Sequence, residues 1–284
     1  MPMRTMLALL LTFLTLKVFA QEPPSIIVRA DDMGMSHSSN LGCIDVFQKG
    51  IARSVEVMVT APWYIEAVQM LNQHPEYDAG IHLVLNCEWN NLKWRPLTTA
   101  KSLTDSNGYF FPTPWKGSVE FPSLQDNHPD FSEAENELRA QIEMAKKHIP
   151  HLSHLSSHMG FDDSHPELKK IVQRLSDEYR LPIIKNTEIL NFPATKQMSS
   201  RSASARIKGF IKQLHELQPG KTYLLVTHPC YNTNEMQAIS TPTYANVGLD
   251  RMADLEMLTS KKVQQALQKR NIKVLSIKEF IRRK

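Results

Sequence analysis

The chain has little of several things, and each shortage excludes a class. It carries only 3 cysteines in 284 residues, too few for the disulfide framework that holds a small secreted scaffold together. Its 33 basic and 29 acidic residues leave a formal charge of +4, far short of the basic excess a nucleic-acid binder uses in bulk. At 42% hydrophobic and 22% charged residues it is too apolar for a disordered chain. It lacks internal repeats and low-complexity tracts, and no domain boundary stands out after residue 25. At this length a fold can bury roughly 75% of the surface its unfolded form exposes, so one domain with one large core is expected over residues 21–284.

The first twenty residues have the layout of a secretory signal peptide. Arg4 gives a positive start, Thr5 to Leu16 is uncharged and mostly apolar, and Val18-Phe19-Ala20 ends in small-x-small fashion. As a membrane anchor the run is too short, because Lys17 interrupts it before the ~20 residues a spanning helix needs. Residue 21 is Gln, so the lipoprotein cysteine is missing. A secreted or periplasmic location follows, without stable membrane insertion once the signal is cleaved. Cys43, Cys87 and Cys230 would then meet an oxidising compartment, as one pair plus a free thiol or as buried unpaired thiols.

The remainder alternates short apolar runs with helical patterns, which argues for strand–helix units around a parallel sheet. Strands are expected at Ile26 to Val28, Val55 to Val59, Gly80 to Leu85, Leu181 to Ile184, Tyr223 to Thr227 and Ile272 to Leu275. Helices are expected at Ser36 to Gly50 (closed by the glycine), Pro62 to His74, Ser199 to Leu217 and Lys261 to Arg270. Two further helices open on capping-box patterns, Ser132 with Glu135 and Ser164 with Glu167, the second with Leu168, Ile171, Val172 and Leu175 as its buried stripe. Asn86 to Phe131 lacks clear periodicity, and a loop that long is usually functional.

Chemistry collects where the apolar runs end. Ile26 to Ala30 leads into Asp31-Asp32, Gly80-Ile81 into His82, the segment from His151 into His158, and Tyr223 to Thr227 into His228. The C-termini of parallel strands share one face, where ligands bind, so these distant residues converge. Taken alone, an acidic pair after a strand is often a helix cap, and a histidine in an apolar strand is often a satisfied core residue. Two neighbouring carboxylates in a low-dielectric pocket repel unless a cation intervenes; a divalent metal would bind one and leave the other as a base. Both can serve one site only if the strand bends there. Two histidines and one carboxylate with open positions approach the three-ligand arrangement of catalytic zinc. Read as a strand, His154, Ser156 and His158 share one face.

These pieces, in this order, resemble the YdjC/ChbG family of carbohydrate deacetylases. Ala30-Asp31-Asp32-Met33-Gly34 is similar to its A-D-D-F-G opening, Gly80-Ile81-His82-Leu83 to G-x-H-L, and His154-Leu155-Ser156-Ser157-His158 to H-L-D-S-H. Thr227-His228-Pro229 resembles a late C-H-P, and Asp250-Arg251 through Leu258 a terminal E-R-x-x-E-L-x-x-L. The resemblance implies a single-domain α/β fold of the modified (β/α), TIM-like barrel type. It also implies metal-dependent removal of N-acetyl groups from amino sugars such as chitooligosaccharides. One divalent ion, Zn2+ or Mg2+, would be held by Asp32, His82 and His158, with Asp31 as general base and His228 as acid for the leaving amine.

The chain departs from the pattern at three places. Ser156 stands where an Asp is typical and is expected to orient His158 less firmly. Gly160 replaces a further histidine. Lys185 stands where an Arg is usual, in a substrate-binding position. Trp89, Trp94 and Trp115 fall in the long loop, either pinning it to the barrel or forming a platform for sugar faces, and Trp89 and Trp94 are the substrate-binding candidates. Other readings are an exported glycan-binding protein with a degenerate site and a metal-dependent hydrolase of another bond. A homodimer is left open.

Overall fold

A computed structural model describes residues 21–184 and 189–283. The expected signal peptide and Lys185 lie outside the described residues. The apolar run at the start of the mature chain forms β1 (Ser25–Met33), which is buried along nearly its whole length, as befits a central parallel strand. Along one edge, Ser25 to Ala30 pair with β6 (Thr222–Thr227). The other edge is shared. Ser25 to Ile27 pair with β7 (Lys273–Leu275), and Arg29 to Met33 pair with β2 (Ser54–Val57). Beyond β2 lie β3 (Asp78–Leu83) and β4 (His154–Ser157), and beyond β6 lies β5 (Leu190–Asn191). The sheet order is therefore β4-β3-β2-β1-β6-β5, all pairings are parallel, and the sheet curls into a half-barrel.

Helices surround the sheet: α1 (His37–Gln48), α2 (Tyr64–Gln73), α3 (Phe131–His148), α4 (Pro166–Tyr179), α5 (Ala203–Gln213), α6 (Asn234–Ala238), α7 (Val247–Thr259), α8 (Lys261–Lys269) and α9 (Ile277–Arg282). None of them, among the described residues, is long and apolar enough to cross a membrane. The α4 stripe of Leu168, Ile171, Val172 and Leu175 is buried as its spacing predicts.

Several local expectations are corrected. Both capping boxes give way to a neighbouring cap. Asp130 accepts the Ser132 N–H to start α3, and His165 accepts the Glu167 N–H to start α4, while the Ser164 hydroxyl donates to the Phe161 carbonyl. The Ser199 to Leu217 helix shortens to α5, behind a tight turn at Lys196–Ser199. Leu181 to Ile184 reduces to one bridge, Ile183 beside Leu155. Gly50 does not end α1 in a left-handed turn; Lys49 caps it, and a Cβ on Gly50 would come within 2.7 Å of the Leu258 carbonyl oxygen. All three cysteines are buried and free. The long loop is packed onto the fold through buried Trp94, Leu103, Phe110 and Leu124, as the pinning reading of its tryptophans allows.

Candidate metal centre

The geometry starts with an irregularity in β1. Between Ala30 and Met33 the register against β2 slips, and three residues advance on β1 while two advance on the partner. This bulge bends the strand where Asp31 and Asp32 sit, and Asp32 takes a left-handed backbone (φ 67°), which an aspartate tolerates better than most side chains. Both carboxylates can then serve one site. Each has its own arginine. Asp31 accepts two hydrogen bonds from Arg29, both 2.7 Å, and its Oδ2 lies 3.8 Å from His82 Nε2. Asp32 Oδ2 accepts from Arg251 at 2.7 Å.

The other Asp32 oxygen is left over. Oδ1 is buried and has no hydrogen-bond partner, yet it faces His82 Nε2 at 3.7 Å and His158 Nδ1 at 3.5 Å. One donor atom from each of Asp32, His82 and His158 lies within 4.8 Å of the others, and all three residues are buried. An orphaned carboxylate oxygen converging with two imidazole nitrogens is the donor set of a divalent cation, and the group fits a metal ion.

Partners behind the group orient it. His82, on β3, meets the Ser156 hydroxyl through Nδ1 at 2.7 Å, and that hydroxyl donates to Glu56 at 2.5 Å. Ser156 therefore orients His82, not His158 as expected from the sequence. His158 does not share the β4 face either. The strand stops at Ser157, and His158 opens a turn in which Met159 (φ 51°) and Gly160 (φ 62°) are both left-handed. Its Nε2 contacts Glu88 Oε2 at 2.9 Å. Burial opposes charge on His158, but Glu88 and Asp32 outweigh it and push its pKa up to about 10. Burial pulls the His82 pKa down to about 4, against the pull of Asp31. At Asp32 burial works against ionisation, but Arg251, His158 and His228 hold the carboxyl well below the usual range.

Under the centre lies a second buried pair. Glu56 accepts from His154 Nε2 at 2.5 Å, both residues fully buried. Gly80 makes room for it, since a Cβ there would fall 2.4 Å from His154 Nε2 and 2.5 Å from Glu56 Oε2. That is the physical reason for a glycine two residues before His82.

A cleft of about 640 Å³ opens beside the centre, its wall including Glu88, Trp89, His228, Tyr244 and Arg251. His228 is half-buried at the end of β6, its backbone N–H donating to Asp254 at 3.3 Å. A close approach fixes that loop, because Gly42 on α1 would put a Cβ 2.5 Å from the Pro229 carbonyl oxygen. Trp89 lines the cleft but is only 2% exposed, with the Arg251 guanidinium 5.3 Å from its ring. Trp94 is buried too, its indole donating to the Asn86 carbonyl and its ring edge-on to His158. Trp115 is 42% exposed and donates to the carbonyl of Met159, which lines the cleft.

The family model described as YdjC-like protein matches residues 25–269. The chain belongs to the YdjC-like family. A carbohydrate deacetylase of Geobacillus stearothermophilus is 27% identical over 262 residues, 91% of this chain and 98% of that one. A carbohydrate deacetylase of Brevibacillus brevis is 27% identical over 266 residues, covering 90% and 99%. An Enterococcus faecalis crystal structure, named for cellobiose-phosphate cleavage, shares the fold with a TM-score of 0.70 at 20% identity, over 90% of this chain and 97% of that one.

Within this YdjC-like framework four residues of the centre have no role in the sequence reading. Arg29 precedes Asp31 by two positions in a strand, so the two share a face, and the alternation alone could have paired them. Glu56 is an acid between two valines in an apolar run, which demands a partner. Arg251 lies in a segment that matches the family. Glu88, in an irregular loop, gives no signal.

Proposed function

We propose that the chain is a metal-dependent deacetylase that removes N-acetyl groups from amino sugars or their oligomers, of the chitooligosaccharide kind. The observation that carries this reading is the unpartnered Asp32 Oδ1 aimed between His82 Nε2 and His158 Nδ1. The family membership and the named activity of the curated relatives support it. Asp32, His82 and His158 would hold one divalent ion, and two imidazoles with a carboxylate suit zinc better than magnesium, which prefers oxygen ligands. When bound, such an ion supplies Lewis acidity toward the acetyl carbonyl and acidifies water.

The chain's own residues do the rest. Asp31 lies beside the three ligands, and Arg29 fixes its carboxylate through two hydrogen bonds. There it takes the proton of the water that attacks the acetyl carbon. His228, at the cleft wall, delivers a proton to the departing sugar amine, so that amide and water become acetate and free amine. Buried Trp94 packs edge-on to His158, Trp89 lines the cleft wall, and Trp115, exposed beside Met159, offers a further face to a sugar ring. Export to the periplasm or beyond is carried by the signal-like first twenty residues.

The experiment is acetate release from N-acetylglucosamine oligomers, with metal analysis on the same samples. Turnover that disappears on chelation and returns with added Zn2+ is expected. Turnover on none of these sugars by metal-loaded protein overturns the reading.

A further inference from the structure

The hydroxyl of Ser156 has one proton and two neighbours that can claim it, His82 Nδ1 at 2.7 Å and Glu56 Oε2 at 2.5 Å. What surrounds Glu56 decides between them. Its other oxygen meets His154 Nε2 at 2.5 Å, and Arg29 Nε stands 4.0 Å away. The far side of His154 reaches Ser153 Oγ at 2.6 Å, and the Ser153 hydroxyl donates onward to Asp78 at 2.5 Å. With Ser153 giving its proton to Asp78, His154 Nδ1 donates to Ser153, and with Arg29 also facing Glu56 its carboxylate stays ionised and accepts from Nε2. His154 is thus an imidazolium packed against a carboxylate, and Glu56 has no proton to give.

The Ser156 proton therefore goes to Glu56, and Ser156 Oγ accepts from His82. That places the His82 proton on Nδ1 and leaves the lone pair on Nε2, the nitrogen facing Asp32 Oδ1. An imidazole can take a cation only through a lone pair. Without the carboxylate the hydroxyl would be free to donate to Nδ1, and the proton would sit on Nε2.

We infer that Glu56, acting through Ser156, is a positioning residue that selects the metal-binding tautomer of His82. The inference rests on the reading of Asp32, His82 and His158 as metal ligands. Two neighbouring strands act on β3 together, β2 supplying the charge and β4 the hydroxyl that carries its effect to His82.

The test uses the full mature chain with ¹⁵N-labelled histidine, first metal-free and then titrated with Zn2+ alone against a chromophoric chelator. Wild type should show the His82 signature of a protonated Nδ1 and a bare Nε2. In Glu56→Gln the new amide can donate to Ser156, which reverses the relay and moves the proton to Nε2. Ser156→Ala removes the relay while leaving the Glu56–His154 pair intact. Each variant should bind Zn2+ about 10–100-fold more weakly. The double variant should bind no more weakly than the worse single, because both act through one path.

A protonated Nε2 in wild type overturns the inference, and so do losses that simply add. If Glu56→Gln does not fold, Ser156→Ala decides alone: an unchanged tautomer with Zn2+ affinity within about twofold of wild type sinks the relay. Wild type that binds no Zn2+ would instead sink the metal-site reading, and the metal-free tautomer would still judge the relay.

Discussion

The buried centre and the cleft beside it are built in opposite ways. Around the centre, buried side chains are held on several sides: Asp31 by Arg29, Asp32 by Arg251 from α7, His82 by Ser156 and Glu56, and His158 by Glu88 from the long loop. Arg251 and Glu88 also line the cleft. The cleft is walled by β6, α7 and the long loop, with half-buried His228 and exposed Met159 in its lining and exposed Trp115 bonded to the Met159 carbonyl. The contrast separates two jobs. If the group holds an ion, its donors must be rigid to a fraction of an ångström, and here buried hydrogen bonds and ion pairs to partners on neighbouring strands, α7 and the long loop supply that rigidity. A surface proposed to meet a sugar can draw on loops as well, which vary without disturbing the sheet.

The largest effect should come from splitting the acidic pair. Asp32→Asn should lose both bound metal and turnover. Asp31→Asn should keep the metal and lose about 10²–10⁴ in turnover, the usual share of a general base. Metal analysis beside acetate release reads both, and a metal-loaded Asp32→Asn would erase the distinction between the two carboxylates.

Next is the pair beneath the centre. Removing Glu56 strands the His154 charge, so Glu56→Gln should cost about 3–5 kcal/mol of stability. The pH dependence has a definite sign. The Glu56 pKa falls from 4.5 to about 2, since His154 and Arg29 overcome the cost of burial. Its contribution is therefore complete above 4.5 and fades as the pH drops toward 2. His154 is raised above 6.5, the Glu56 charge overcoming burial, so its contribution is complete below 6.5 and fades as the pH rises through the raised value. Denaturant unfolding of wild type and variant should differ most between 4.5 and 6.5. A difference independent of pH would mean that no ion pair lies there.

Gly80→Ala tests the same region by volume, its Cβ pushing on His154 and Glu56. A loss of about 1–3 kcal/mol is expected by thermal unfolding, and no loss would mean that the pair has room to move. The smallest effect belongs to the cleft. Trp115→Ala should raise KM for longer oligomers about fivefold with kcat unchanged, the equivalent of about 1 kcal/mol of contact. An unchanged KM would leave that edge without a part in binding.

The same division governs what could be read from the chain. Apolar runs ending in Asp31-Asp32, His82 and His158 announce a parallel sheet and a candidate donor set at its strand ends, because strand ends and potential metal donors are local facts of sequence. The requirement that the strand bend at the acidic pair also follows from alternation alone, and the bulge between Ala30 and Met33 meets it. Partners across strands are harder. That Ser156 serves His82 rather than His158 depends on the β3–β4 register, which sets His82 opposite Ser156, and spacing along one strand does not reveal it. Glu88 sits in a loop whose path no periodicity describes. The helix starts differ from the serine pattern for a local reason: Asp130 and His165 offer caps a residue or two from the serines and reach the free N–H groups first.

The backbone at Asp32 limits how this site can change. At φ 67° the chain accepts aspartate, asparagine or glycine with little strain and resists longer or branched side chains. Exchanging this proposed ligand for glutamate or histidine, harmless on paper to a cation that binds either, would ask the first strand to unkink. The menu of ligands open to mutation is thus narrower than coordination chemistry alone would allow, and attempts to retune the ion's preference have more freedom at the two imidazole positions.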